Sequence, residues 1–142
     1  MKCLFIMILS AVFSLSTDNL RFEIAPDASG AAFVVDGKED KAQRNSDFWR
    51  LFLDDGVRTE LPVRSSRQKG TVTKKGGVLT VHYDSVVADD GKTYPVSLTV
   101  TASVEDGLLK FSSSVTNNDD EVRVNECFCP LADFTELEGA KK

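Results

Sequence analysis

Histidine is nearly absent from this 142-residue chain, in which His82 is the single example. Cysteine is also scarce, with three residues, and no second Cys or His cluster accompanies them. A structural zinc site needs about four such ligands, so no metal site is predicted. A hydrolytic triad is not supported, because no Ser–His–Asp or Cys–His set is in view. No glycine-rich phosphate loop leads into a helix, so no cofactor is predicted.

Basic residues are also fewer than acidic ones. Seventeen Lys and Arg stand against 22 Asp and Glu, which gives a net charge of −5. Phosphate backbones and anionic lipids are bound through clusters of Lys and Arg. We therefore expect neither nucleic acid nor a membrane surface as a partner.

The only long apolar run lies at the N-terminus. It extends from Cys3 to Phe13, with a lysine before it and small serines after it. This order is typical of a secretory signal peptide, and the run is shorter than the ~20 residues that span a bilayer. We predict a signal peptide at residues 1–16 and a mature domain at residues 17–142, secreted or periplasmic and without membrane contact. The alternative is a buried N-terminal strand or helix.

The mature chain would keep two of the three cysteines, Cys127 and Cys129. They are separated by one residue on a predicted strand, so they point to the same face about 6–7 Å apart. That geometry is poor for a disulfide between them. The sequence therefore predicts two free, buried thiols.

Strict alternation of apolar and polar residues predicts strands along most of the chain. The clearest example extends from Thr93 to Val104, where one face is apolar and the other carries Ser and Thr. One buried and one solvated face indicates an antiparallel sheet. Turn residues recur about every 8–12 residues and no helix is predicted. The expected fold class is all-β, an antiparallel β-sandwich.

The stretch Gly107–Pro130 is predicted to form a strand, a polar turn and a second strand. After Val124 the pattern is uncertain, since continued alternation would bury Glu126. A β-bulge near Asn125 would avoid that burial. Residues 131–142 show no pattern of a closing strand, so the sandwich is expected to be incomplete, as in the front part of a longer gene product.

Two side chains are candidates for contact with a carbohydrate. Trp49, together with Phe48 and Phe52, could stack on a sugar ring, but aromatic residues in a dense apolar stretch also form cores. His82 could act as a general base, or it could be a hydrogen-bonded histidine of a sheet. Four pairs of adjacent acids occur in predicted turns, where neighbouring carboxylates diverge into solvent, so no catalytic residue is predicted.

The pattern within Gly107–Pro130 also carries a family resemblance. The matching segments are Gly107-Leu108-Leu109-Lys110-Phe111, Val115-Thr116-Asn117-Asn118, Val122 and Phe128-Cys129-Pro130. This pattern resembles a hairpin of the galactose-mutarotase-like β-supersandwich, which precedes the catalytic barrel in many secreted glycoside hydrolases of gut-type bacteria. The resemblance extends over residues 20–134.

The resemblance implies a supersandwich-like, non-catalytic domain associated with carbohydrate. The catalytic acid and nucleophile of such enzymes lie in the following barrel, so no catalytic residue transfers to this chain. Three hypotheses follow: a domain that flanks the catalytic domain of a secreted glycoside hydrolase, an independent carbohydrate-binding module, and a purely structural Ig-like surface domain. The expected partners are a carbohydrate or an adjoining catalytic domain.

Overall fold

The computed structural model describes residues 12–35, 38–39 and 47–131. Within these ranges the chain forms thirteen strands, one 3-10 turn and no α-helix. Most of the predicted signal peptide and the whole tail at 132–142 lie outside the described residues. The strands are β1 Phe13–Ser16, β2 Leu20–Ile24, β3 Ala31–Val35, β4 Lys38–Glu39, β5 Arg50–Asp54, β6 Leu61–Arg64, β7 Thr71–Lys75, β8 Val78–Tyr83, β9 Val86–Val87, β10 Thr93–Tyr94, β11 Val96–Glu105, β12 Leu108–Asn117 and β13 Arg123–Phe128.

Antiparallel pairing joins these strands into three larger sheets. Sheet I has the order β1-β2-β3-β4, sheet II the order β12-β11-β8-β7, and sheet III the order β13-β5-β6. The short strands β9 and β10 form a separate two-stranded ribbon. The prediction of an all-β fold with antiparallel sheets is confirmed.

One hydrophobic core joins the three sheets. Phe22 of sheet I meets Phe111 of sheet II edge-on, with ring centroids 5.1 Å apart. Trp49, directly before β5, meets Tyr83 of sheet II at the same centroid distance. The apolar residues of β11 are buried along the strand, as their alternation predicts. Sheets I and III therefore pack on the inner face of sheet II, which is the arrangement of a sandwich.

The predicted strand Thr93–Val104 is interrupted in the structure. Thr93–Tyr94 form β10 and pair with β9, whereas Val96–Glu105 form β11 in sheet II. Pro95 separates the two, because proline has no N–H to donate to a sheet. The alternation was interpreted correctly, but the strand boundary was not.

The strands of the Gly107–Pro130 stretch do not form a hairpin with each other. β12 pairs with β11 in sheet II, and β13 pairs with β5 in sheet III. The turn between them crosses from one layer to the other and is closed by Asn117, whose Nδ2 donates to the carbonyl of Val122 at 2.7 Å. The hairpin interpretation is wrong, because alternation shows which face of a strand is buried but not which strand lies beside it.

The end of the predicted signal peptide is part of sheet I. β1 pairs with β2 from Phe13 opposite Ile24 to Ser16 opposite Arg21, and Leu15 is buried in the core. The predicted cleavage point therefore falls directly after a strand. In the described part of the chain, no helix has the length and apolar character needed to cross a membrane.

Candidate functional site

The indole of Trp49 lies in the core. It is fully buried and packs edge-on against Tyr83 and Phe48, with centroid distances of 5.1 and 6.5 Å. No face of the ring is open to a ligand in this structure. As a surface platform for a sugar, Trp49 is therefore a wrong candidate, and its alternative interpretation as a core residue is confirmed.

His82 lies on the outer face of sheet II, where its side chain is partly exposed. Its Nδ1 is 2.8 Å from Thr99 Oγ1, and its Nε2 is 2.9 Å from Asp84 Oδ1. Both ring nitrogens therefore have partners, as expected for a hydrogen-bonded sheet histidine. Since Trp49 is inside the sandwich and His82 is outside it, the fold does not bring the two predicted residues together.

In two of the turns, acidic side chains accept hydrogen bonds from backbone amides. Asp55 accepts hydrogen bonds from the amides of Val57 and Arg58, and Asp90 accepts one from the amide of Lys92. Arg58 also contacts both carboxylates and so links the two turns. This supports their interpretation as turn residues. Among the described residues, no group of three side chains is placed to hold a metal ion.

A β-bulge at Asn125 decides which side chains of β13 face outward. Val124 pairs with Leu53, but the next pair is Glu126 with Phe52, so one residue is extra on the bulged strand. The bulge places Glu126 and Phe128 on the outer face of sheet III. The bulge expected near Asn125 is confirmed, and Glu126 is exposed as that prediction required.

The outer face of sheet III carries an open groove of about 400 Å³. Two phenylalanines form part of it: Phe52 and Phe128 meet edge-on with centroids 6.1 Å apart, and Phe128 is 45% exposed. Among the described residues, its lining consists of Arg50, Phe52, Glu60, Glu126, Phe128 and Leu131. Exposed aromatic rings beside charged side chains offer both an apolar contact and hydrogen-bonding partners. This groove is the candidate functional site.

Asp47 pairs with Arg50, one of the charged residues that line the groove. Its carboxylate accepts a hydrogen bond from Arg50 Nη2 at 2.9 Å and two from Ser66, at 3.1 Å from N and 2.8 Å from Oγ. Partial burial alone would raise the pKa of Asp47, but these hydrogen bonds outweigh it and hold that pKa below its ordinary value. Arg50 Nε, by contrast, is buried without a hydrogen-bond partner among the described residues.

The interactions of Asp47 predict that the fold becomes less stable at acidic pH. Because the pKa is lowered on folding, this carboxylate stabilises the fold above its unfolded pKa of ~3.9, and that contribution is lost as pH falls through the folded pKa. We expect Asp47→Asn to lose about 2 kcal/mol at neutral pH and to show a flatter decline in stability below pH ~4. Urea unfolding at a series of pH values measures both effects.

Asp18→Asn is the control for the Asp47 prediction, because Asp18 is exposed on the turn between β1 and β2. Its profile should match that of the wild type. Parallel pH profiles for the wild type and Asp47→Asn would show that Asp47 has no such role.

The two cysteines are free: Cys127 lies in β13 opposite Leu51, and Cys129 follows directly after that strand. Cys129 is partly buried, and burial, followed by the neighbouring Cys127, raises the pKa of its thiol to about 12. Cys127 is exposed, and its Sγ lies 3.8 Å from Ser113 Oγ of β12. The prediction of free thiols is confirmed, but the prediction that both are buried is wrong for Cys127, which is exposed on β13, an edge strand among the described strands.

Comparison with known proteins adds nothing to this geometry. No protein-family model matches the chain, and no curated protein or solved structure shows significant similarity to it. The sequence did not predict the groove, and of its lining residues only Phe52 was considered for stacking on a sugar, together with Trp49 and Phe48. The one available signal was the break in alternation after Val124.

Proposed function

We propose that this domain is a non-catalytic, carbohydrate-binding β-sandwich of a secreted or periplasmic carbohydrate-active protein. The observation that carries the proposal is the groove on sheet III. Phe52 and Phe128 offer apolar surface to the C–H face of a sugar ring, while Arg50 and the two glutamates offer partners to its hydroxyl groups. The resemblance to the supersandwich domains of glycoside hydrolases supports the same class of ligand.

The unpartnered donor of Arg50 also favours an oxygen-rich ligand. A buried N–H without a partner is unfavourable, because its interaction with water has been lost. Arg50 Nε is such a group among the described residues, and the Arg50 side chain lines the groove. A sugar hydroxyl at this wall would provide an acceptor after a small adjustment of the guanidinium.

The test is saccharide binding by the full chain, measured by isothermal titration calorimetry. The ligands are hexamers of glucose in β-1,4 and α-1,4 linkage, of N-acetylglucosamine and of glucosamine. We expect at least one hexamer to bind and Phe128→Ala to weaken that binding about tenfold or more, because a buried aromatic contact is a typical binding hot spot.

Leu108→Ala is the matched control, because Leu108 is also a large exposed apolar residue but lies on β12, in the other layer. Its affinity should equal that of the wild type. The proposal is wrong if no hexamer binds, or if both variants lose affinity equally.

A second candidate function is support of an adjoining catalytic domain. Within the described residues, β12 and β13 are edge strands of their sheets. Phe111, Val115 and Val124 face the core from these strands but are only partly buried. A neighbouring domain would complete the burial of these side chains, which favours the flanking role that the resemblance implies.

A further inference from the structure

We propose that the groove on sheet III selects a saccharide with free amino groups, such as a polymer of glucosamine, over neutral or acidic saccharides. The inference rests on the proposed carbohydrate-binding function and names the ligand class of the same site. It is carried by the charges of the groove, by its aromatic pair and by the hydrogen bond between the two segments that carry its glutamates.

The groove carries two negative charges that nothing in the described structure neutralises. Glu60 and Glu126 both line it, both are exposed, and neither makes a salt bridge or side-chain hydrogen bond within residues 12–35 and 47–131. In the part of the chain that the structure describes, Arg50 is the one cation of the lining, and Asp47 already pairs with it at 2.9 Å. The side chain of Asp47 is only 6% exposed, so its carboxylate stays beneath the groove, while Arg50 can still contact a ligand. The groove is therefore complementary to positive charge.

The aromatic pair suits the same ligand. Phenylalanine rings attract ammonium groups placed over their faces, and they also contact the apolar face of a sugar ring. Glu126 lies directly opposite Phe52 in the sheet, and Phe128 lies two residues further along β13, about 7 Å away by the rise of a strand. A carboxylate and a ring thus lie next to each other in the groove, so an amino group and a ring face of one saccharide can contact both.

One hydrogen bond joins the two chain segments that carry the glutamates. Asn125, the bulge residue, donates from Nδ2 to the carbonyl of Thr59 at 2.8 Å. Thr59 directly precedes Glu60, and Asn125 directly precedes Glu126. The hydrogen bond therefore ties the segments that carry both glutamates, so less backbone freedom is lost when a ligand binds.

Acidic saccharides fit this surface poorly. A uronate or sulfate group in the groove would lie near two carboxylates, and like charges at close range repel. A neutral sugar avoids the repulsion but gains nothing from the glutamates beyond ordinary hydrogen bonds. An amino group gains charge-assisted hydrogen bonds, which are the stronger kind.

The experiment compares the hexamers of glucosamine and N-acetylglucosamine, which differ only in acetylation of the amine. We expect the full chain to bind the glucosamine hexamer about tenfold more tightly at low ionic strength, with the advantage shrinking as salt is added. Glu60→Gln and Glu126→Gln keep the shape of the side chain and remove its charge. Each should weaken glucosamine binding about fivefold and leave N-acetylglucosamine binding within about twofold.

Glu121→Gln is the matched control, because Glu121 is exposed in the turn between β12 and β13 and does not line the groove. It should bind the glucosamine hexamer as the wild type does. Equal affinity for the two hexamers, or equal losses in Glu121→Gln and Glu126→Gln, would overturn the selectivity for amines while leaving carbohydrate binding intact. If no saccharide binds but a lysine-rich peptide does, both proposals are overturned and the groove is a peptide site.

Discussion

Replacing Val100 with aspartate is expected to unfold the domain at room temperature. Val100 is buried on the inner face of β11, between Val81 of β8 and Ser113 of β12. A carboxylate at this position would lie in an apolar core, and an unpaired buried charge costs about 3–5 kcal/mol or more. That loss approaches the whole stability of a typical domain, about 5–15 kcal/mol. Far-ultraviolet circular dichroism with thermal unfolding measures the result.

The matched control is Thr101→Asp, one residue further along the same strand. Thr101 faces the other side of sheet II, opposite Thr80 and Ser112, where solvent reaches the side chain. We expect a change within about 1 kcal/mol. Equal melting curves for the two variants would contradict the assignment of inner and outer faces to β11, and with it the packing of the sandwich.

Truncating Trp49 to alanine is expected to destabilise the fold by about 3–5 kcal/mol, because it removes a fully buried side chain and leaves a cavity. The edge-on contacts with Tyr83 and Phe48 are lost at the same time. Urea unfolding gives the change in free energy. Val57→Ala is the control, because Val57 is 90% exposed and its truncation should change stability by less than about 0.5 kcal/mol.

The fluorescence of Trp49 offers a second measurement without any substitution. It is the only tryptophan of the chain, so emission reports this site alone. A buried indole is expected to emit at short wavelength, and saturating saccharide should leave the emission unchanged. Emission like that of free tryptophan, or a shift on ligand binding, would show that the ring is not sealed in the core.

Much of the fold could be predicted from alternation. The buried residues of β8 and β11 follow from period-2 patterns, because each sheet has one face in the core. The pairing partner of each strand was harder to predict, because an apolar residue that faces inward can be buried whichever layer its strand belongs to. That is why β12 and β13 were interpreted as a hairpin although they belong to different sheets.

The candidate site was beyond what the sequence could show. Glu60 and Glu126 lie far apart in the chain. They line the same groove because β6 and β13 both pair with β5. Phe128 faces outward only because the extra residue at Asn125 reverses the alternation. Trp49 was more conspicuous than either phenylalanine, but a dense apolar neighbourhood is the pattern of a core. Trp49 is the only tryptophan of the chain, yet it is buried, so the rarity of a residue type did not indicate an exposed site.

The position of β1 means that signal-peptide cleavage would change the number of strands in sheet I. If a signal peptidase cuts after Ser16, as the sequence predicts, sheet I changes from four strands to three. Arg21 to Ile24 would then line a free sheet edge, and the place of Leu15 in the core would be vacated. Precursor and mature protein would thus be two different sandwiches, distinguishable by the hydrogen-exchange protection of the β2 amides.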